Sequence, residues 1–525
     1  MGNPLVVDFR IAAANRAQYL DDDFSWPVSQ NDYDEPLLEF VNWVQQLPGE
    51  LALTGRELAG FQIAEPDLLK DVASIVGSWM DICAAQVSNL TVQAGDDQAL
   101  YQMMLSDSYP EFSPTTEMRA TAERSANSPL RTIARSVRSV VNGVLGISSV
   151  GSYILSGNEL TRQICPPDAY PIKQTYQQIA SSRSTENPPA KIGEIADLVF
   201  TRLSEILSGT TYALAPGISG YLSRSIRELL IAGWRDSEYQ LGFNPKENAT
   251  VFTGTGGGYV ARVITSALNR MNVQVNRSTH GGDTPLFDDP MWPSLEVPFS
   301  TTYSTYGPAA AKRVNEVVNR FCEHRPTPAP HIVARGSKFH SRIVENAPAK
   351  SGSSNVYVVS ASFNKLHRAI PHIKIHDVVY LEWHRRLLSE ISKMGFQVRA
   401  KRHPKGTSPE LRLFGGSGAE ELINIGMAGT FADADVYVLD IAGSAFIEAM
   451  CTLKPVVLID IPNRRMTDAA RQDISQSAQI VKARFTEKNT VDVDFDELRK
   501  AIEKPVNLEE RHKFIEAYLT GRTDN

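Results

Sequence analysis

Two rhythms of apolar residues run along this chain. Over residues 1–110 the apolar positions recur at helical spacing, as in Pro36–Gln46 and Leu68–Cys83, and the same spacing returns in Thr115–Val150 and Ile192–Trp234. From about 248 the pattern changes to short β-branched runs separated by helical ones. Ala249–Thr253 and Val273–Arg277 read as strands, Val260–Met271 and Pro308–Cys322 as helices. The alternation resumes past residue 354, with strands at Val356–Ser360, Phe396–Ala400, Asp435–Leu439 and Pro455–Asp460. Helices are expected there at His376–Met394, Glu420–Met427 and Ser444–Cys451, then at Phe495–Ile502 and Leu508–Leu519. Strands that alternate with helices imply βαβ units and parallel sheets.

Two stretches interrupt the alternation. Arg325-Pro326-Thr327-Pro328-Ala329-Pro330 is too rich in proline for a helix or a central strand, and Ala347–Ser354 has a flexible composition. The expected organisation is therefore a helix-rich part over 1–247, standing alone or elaborating the first α/β half, then that half over 248–325. A linker over 326–354 and a second α/β half over 355–525 follow. The fold class is α/β, with two Rossmann-like parallel-sheet halves facing a cleft. In open parallel sheets ligands sit beyond the carboxyl ends of the strands, so that cleft is the expected site.

Composition narrows the classes. The 525 residues are 42% hydrophobic and 22% charged, which is ordinary for a globular protein. The net charge of −7 disfavours a general phosphate-backbone binder, so nucleic acid is not an expected partner. Cys83, Cys165, Cys322 and Cys451 lie far apart, with no CxxC pair to suggest structural zinc. So few thiols fit a reducing compartment. No signal peptide or membrane span is evident, and a cytoplasmic location is expected. Arg131–Leu145 reads as a basic amphipathic helix, compatible with a peripheral contact on an anionic membrane face.

Four constellations fall at expected strand ends. Thr253–Tyr259 carries Gly256, Gly257 and Gly258 before a helix, either a tight βα turn or a loop that approaches a phosphate. No Gly-Lys-Ser/Thr follows, so it is not a P-loop, and the third glycine of a dinucleotide fingerprint is missing. Ser278–Phe287 places His280 beside two glycines with Asp283 close behind. That suits a general base with an orienting or attacking carboxylate. Arg399–Lys405 gathers Lys401, Arg402 and Lys405 about His403, a composition that holds phosphates. Gly443 and Ser444 open a helix that carries Glu448 one turn on, where a phosphate and a ribose hydroxyl pair would be met. Asn463-Arg464-Arg465 follows a strand, where it adds to a phosphate pocket or forms a loop salt bridge. Asp288-Asp289 is the nearest approach to an acidic metal motif, and no metal site is expected.

In order and context, His403-Pro404, Gly443-Ser444, Glu448-Ala449 and Lys454-Pro455-Val456-Val457 resemble the donor half of GT-B glycosyltransferases. The resemblance is to enzymes of bacterial surface-polysaccharide synthesis, namely CDP-glycerol glycerophosphotransferases and transferases that use CMP-Kdo or CMP-sialic acid. His280–Leu286 is similar to the His-Gly-Thr-Pro-Leu segment of the former, with Gly282-Asp283 inserted, and Phe514–Gly521 is like the C-terminal helix that crosses back in GT-B enzymes. The likeness spans roughly 248–525. It implies a GT-B-like fold and sugar transfer from a nucleotide donor of CMP or CDP type to a glycan or lipid-linked glycan of the bacterial surface. Lys401, Arg402, His403, Lys405, Gly443, Ser444 and Glu448 would hold the donor, and His280 and Asp283 would be catalytic. Gly256–Gly258 would face the acceptor, with no cofactor or metal required. A nucleotide-sugar 2-epimerase of the same fold and a non-catalytic assembly protein are the alternatives.

Overall fold

The computed structural model describes residues 4–20, 23–111, 151–347, 354–363, 375–404, 406, 408 and 410–522. Near the N-terminus a parallel pair, β1 (Leu5–Val6) and β2 (Val92–Gln93), brackets the long helices Gln30–Glu50 and Gly55–Val87. Two larger sheets carry the architecture.

The first sheet has six parallel strands. They are β3 (Ser152–Ser156), β4 (Tyr170–Pro171), β5 (Thr250–Thr253), β6 (Gln274–Ser278), β7 (Thr302–Thr305) and β8 (His331–Ala334), in the order β4-β3-β5-β6-β7-β8. The order turns about β3 and β5, so a crevice is expected beyond their carboxyl ends. The expected boundaries shift accordingly. β3 and β4 lie upstream of 248, and β8 with the helix Lys338–Glu345 occupies the stretch expected to be linker. The prolines of 326–330 end before β8, which pairs along its length with β7.

The second sheet contains β9 (Asn355–Val359), β10 (Gln397–Lys401), β11 (Glu420–Leu422), β12 (Val436–Leu439), β13 (Val456–Asp460), β14 (Gln479–Phe485) and β15 (Val491–Val493). Its order is β11-β10-β9-β12-β13-β14-β15, and only β15 runs antiparallel. The six parallel strands follow the doubly wound Rossmann order, with the reversal between β9 and β12. β9 is buried at all five positions, as a central strand covered by helices on both faces must be. Glu420–Met427, expected as a helix, begins instead with the edge strand β11, fixed by its pairing to β10.

The two halves face one another, as expected of a GT-B-like class. The last helical turns cross from the second half to the first. Gly307 donates its N–H to the Tyr518 carbonyl at 3.0 Å, and Ser337 to that of Leu519 at 2.8 Å. Arg313, on the helix Pro308–Glu323, donates to the Tyr518 hydroxyl at 2.8 Å.

The N-terminal helices are packed onto both halves. Arg325 forks onto Glu65 at 2.5 and 2.9 Å, with both side chains wholly buried. Arg262 of the first half donates to the Ile63 carbonyl at 2.9 Å. On the other side the Trp26 indole stacks on His376 at 4.1 Å between centroids, and the Trp26 backbone N–H donates to the Lys488 carbonyl at 2.9 Å. The helix-rich part is thus one layer of a joint structure. Among the described residues no helix is long and apolar enough to cross a membrane, and the basic stretch Arg131–Leu145 lies outside them.

Candidate functional site

The loop after β6 is shaped by two glycines. Gly281 and Gly282 have φ of +85° and +82°, a region side chains strain to enter. A β-carbon on Gly282 would stand 2.9 Å from the Tyr306 ring, and one on Gly281 would strike the Ser444 hydroxyl. This loop therefore passes directly against the N-terminus of a helix from the other half. Asn158, at the end of β3, secures it by donating to the carbonyls of Gly254 at 3.0 Å and Thr279 at 2.7 Å. His280 is exposed on the lip of the loop. Asp283 is half-buried and faces Arg464 of the second half at 3.4 Å.

Opposite lies the helix Ser444–Cys451, with Gly443 as its cap and Ser444 exposed at its first position. Glu448 stands one turn further on. Burial pushes its carboxyl up to about 7; Lys401 pulls it down and Glu159, from the first half, pushes it up again. Lys401, buried at the end of β10, is lowered by that burial while Glu448 opposes the shift. The buried Tyr306 phenol is raised by burial first, then by Asp283, Glu159 and Glu448 together. Asp283 and Glu159 of the first half and Glu448 of the second thus act on one phenol. His403 follows Lys401 and is half-buried.

An anion at the Ser444 helix would meet its N-terminal N–H groups and hydroxyl, and Lys401 acts on Glu448 of the same helix. The facing loop adds the exposed imidazole of His280, and the Glu448 carboxyl, pushed up to about 7, is half-protonated near neutral pH. Residue type and strand-end position singled out His280, Asp283, Lys401, Gly443, Ser444 and Glu448, and the fold brings them together where the two halves meet, while His403 follows Lys401 by two residues at the end of β10.

Other candidates are turned to internal use. Arg402 is buried and donates to the carbonyls of Leu411 at 2.6 Å and Ser408 at 2.9 Å and to Glu421 at 3.1 Å, so it braces its own loop rather than a donor. The turn Gly256–Gly258 is closed by a carboxylate of the protein itself. Glu296 accepts from the Gly256 N–H at 3.0 Å and the Thr255 hydroxyl at 2.9 Å, while Thr255 takes the Gly257 N–H at 2.9 Å. Two of its glycine N–H groups are thereby spent before any phosphate arrives, which leaves the tight-turn reading. Asp288 pairs with Arg320 at 3.1 Å, and Asp289 accepts from the Met291 N–H at 2.9 Å, so the Asp288-Asp289 pair does not converge on a common point. Lys405 lies outside the described residues.

Three participants carried no clear signal in the sequence. Glu159 follows β3, a strand set among helical patterns, though Asn158-Glu159 is a helix-start signal. Tyr306 ends the polar strand β7, and Glu296 is 40 residues from the turn it closes.

Comparison with known proteins adds little. No family model matches the chain, and no curated protein does. Among solved structures, Arabidopsis thaliana UGT89C1 is similar at 12% identity and a TM-score of 0.33, over 69% of this chain and 85% of that one. Phytolacca americana UGT2, complexed with UDP-2fluoro-glucose and pterostilbene, is similar at 8% identity and a TM-score of 0.32, over 70% and 86%. A likeness at TM-scores this low carries no argument about what this chain does.

Proposed function

We propose that this chain is a GT-B-type glycosyltransferase that moves a sugar from a nucleotide donor to a glycan acceptor. One observation carries the reading: the His280–Asp283 loop of the first half lies against the Ser444 end of the helix that bears Glu448 in the second. Both are at strand carboxyl ends, the Ser444 helix after β12 beside the chain reversal of its sheet and the His280 loop after β6 one strand from the reversal of its own, and doubly wound folds bind ligands at such ends. In this reading His403 and Glu448 hold the nucleoside, while Gly443, Ser444 and Lys401 take its phosphates. His280 accepts the proton of the acceptor hydroxyl as the acceptor oxygen bonds the anomeric carbon and the nucleotide leaves with the electron pair of the broken bond. The helix N-terminus and Lys401 stabilise the charge that develops on the leaving phosphate. Asp283, held by Arg464, orients the loop that bears the base.

The finer reading is a CMP or CDP donor and a bacterial surface glycan or lipid-linked glycan as acceptor. Its support is the similarity of His280–Leu286 to the His-Gly-Thr-Pro-Leu segment of the glycerophosphotransferases. The cytoplasmic face of a membrane, touched peripherally, is where such an acceptor would be met. The test is nucleotide release from CMP-, CDP- and UDP-linked sugars, with and without glycan acceptors. Release should fall roughly 100-fold or more in His280→Ala with donor affinity kept. Absence of release from every donor and acceptor pair would overturn the reading.

A further inference from the structure

Between residues of both halves, next to the Asp283–Arg464 pair, lies a hollow of about 790 Å³. That volume is in the range of small-molecule sites. It forms because the chain leaving β13 meets the segment after β6 edge to edge. Asp288 donates its N–H to the Arg465 carbonyl at 2.9 Å, Thr467 donates to that of Leu286 at 3.1 Å, and Phe287 bridges Met466 in antiparallel fashion. Arg464 and Arg465 both line the hollow, and Arg464 is also held by the Phe287 ring and Asp283.

Five cations line this space: Arg320, Arg464, Arg465, Arg471 and Lys482. Three have carboxylate partners. Arg471 pairs with Asp460, Arg320 with Asp288 and Arg464 with Asp283. Arg465 and Lys482 are exposed, and neither makes a salt bridge among the described residues. Lys482 lies beside Asp460 in the register of β14 on β13, but Asp460 is already engaged by Arg471. The carboxyl that acts on Arg465 is Asp34, which burial pushes up to about 7 and so leaves half-neutral at physiological pH. The helix Asp468–Ser477 adds its N-terminus, with Thr467 as cap. Asp468 lines the hollow as well, so its five cations face three carboxylates, Asp288, Asp460 and Asp468, and an anion meets a positive excess in a concave, partly shielded space.

We infer that this hollow binds a phosphorylated small molecule through Arg465 and Lys482, at a site separate from the cleft and independent of which reaction the cleft runs. Arg464 forms the wall between the two. A ligand held here therefore sits next to the Asp283–Arg464 ion pair that joins two strand-end loops.

The test is calorimetric titration of pyrophosphate into the full chain at constant ionic strength, with and without a saturating nucleotide. One pyrophosphate per chain should bind under both conditions, at least 10-fold more weakly to Arg465→Gln/Lys482→Gln. Both positions are exposed, so that variant should keep its melting temperature, and Lys482→Arg should restore binding where Lys482→Gln alone weakens it. No binding, equal binding by the double variant, or displacement by nucleotide would overturn the inference. The nucleotide-free arm still reads out if no nucleotide occupies the cleft.

Discussion

Asp283, on the loop after β6, faces the Arg464 guanidinium, on the loop after β13, at 3.4 Å, and the two halves are thereby joined at their strand ends. The Arg464 carbon stands 3.2 Å from the Phe287 ring centroid, so an aromatic face and a carboxylate from the first half share one cation of the second. Burial pulls Arg464 down to about 10, against the upward pull of Asp283 and then Asp289. A group so desolvated depends on its partner.

Asp283→Asn should therefore destabilise the fold by roughly 1–3 kcal/mol, because it leaves a buried charge with a weaker acceptor. Arg464→Met in the same background should recover part of that loss, since both charges are then gone. Thermal unfolding of the two single variants and the double gives the coupling. Strict additivity would contradict the pairing.

Asp440, at the end of β12, accepts from the Tyr380 hydroxyl at 2.9 Å, the Trp383 indole at 3.0 Å and His384 Nε2 at 2.9 Å. The Tyr380 hydroxyl also receives the Ala361 N–H at 2.8 Å, which pins the loop after β9. Bonds to a charged acceptor are worth ~1.5–3 kcal/mol each. Asp440→Ala should lower stability by at least about 3 kcal/mol in chemical denaturation. A loss under about 1 kcal/mol would mean that the network does not support the site.

Glu448 makes stability depend on pH. Its ordinary value is 4.5 and its folded value about 7. Between those values the folded state keeps a proton that the unfolded state has lost. Stability should therefore fall as pH rises from 4.5 to 7, by on the order of 2–3 kcal/mol from this group. Glu448→Gln should flatten the melting temperature across that window, with Asp34, also held near 7, supplying the slope that remains. An unchanged slope in Glu448→Gln would contradict the assignment.

Glu296 closes the glycine turn from 40 residues away and is the carboxylate that acts on the buried Arg277. Glu296→Ala should cost about 2–4 kcal/mol in urea unfolding, and Glu296→Gln less, since its amide oxygen still accepts one donor. Nucleotide affinity should stay unchanged in Glu296→Gln. A gain in affinity would return the turn to the binding site.

Much of the fold was legible from the chain. Ser444–Cys451 emerges as a helix with its expected bounds, Asp377–Lys393 is one residue shorter than expected at each end, and Val456–Asp460 is one residue shorter at its start. These elements carry strong local apolar patterns, and the His376 side chain caps the start of Asp377–Lys393 by accepting from the Val378 N–H. The strands β7 and β8 were not legible for a local reason: Ser304 and Thr305 are polar yet buried, and β8 comes after a proline run that mimics a linker. β3 and β4 are short strands in a region of helical patterns. At the site, residue type indicated chemistry but not allegiance. Arg402 and Lys401 are neighbours of like charge, and only Glu421, 19 residues on, decides that Arg402 serves its own loop. Partners of that kind exist only once the sheets are assembled.

If the Ser444 end of the cleft holds a nucleotide, the nucleotide must stabilise the fold. The direct measurement is the melting temperature of the full chain with CMP, CDP, UDP, GDP and dTDP, alongside His403→Ala. A ligand at 100 times its dissociation constant adds about 2.7 kcal/mol of stability. At least one nucleotide should raise the melting temperature of the native chain by several degrees and that of His403→Ala by much less. No shift with any of them, or an equal shift in the variant, would contradict a nucleotide site at this helix.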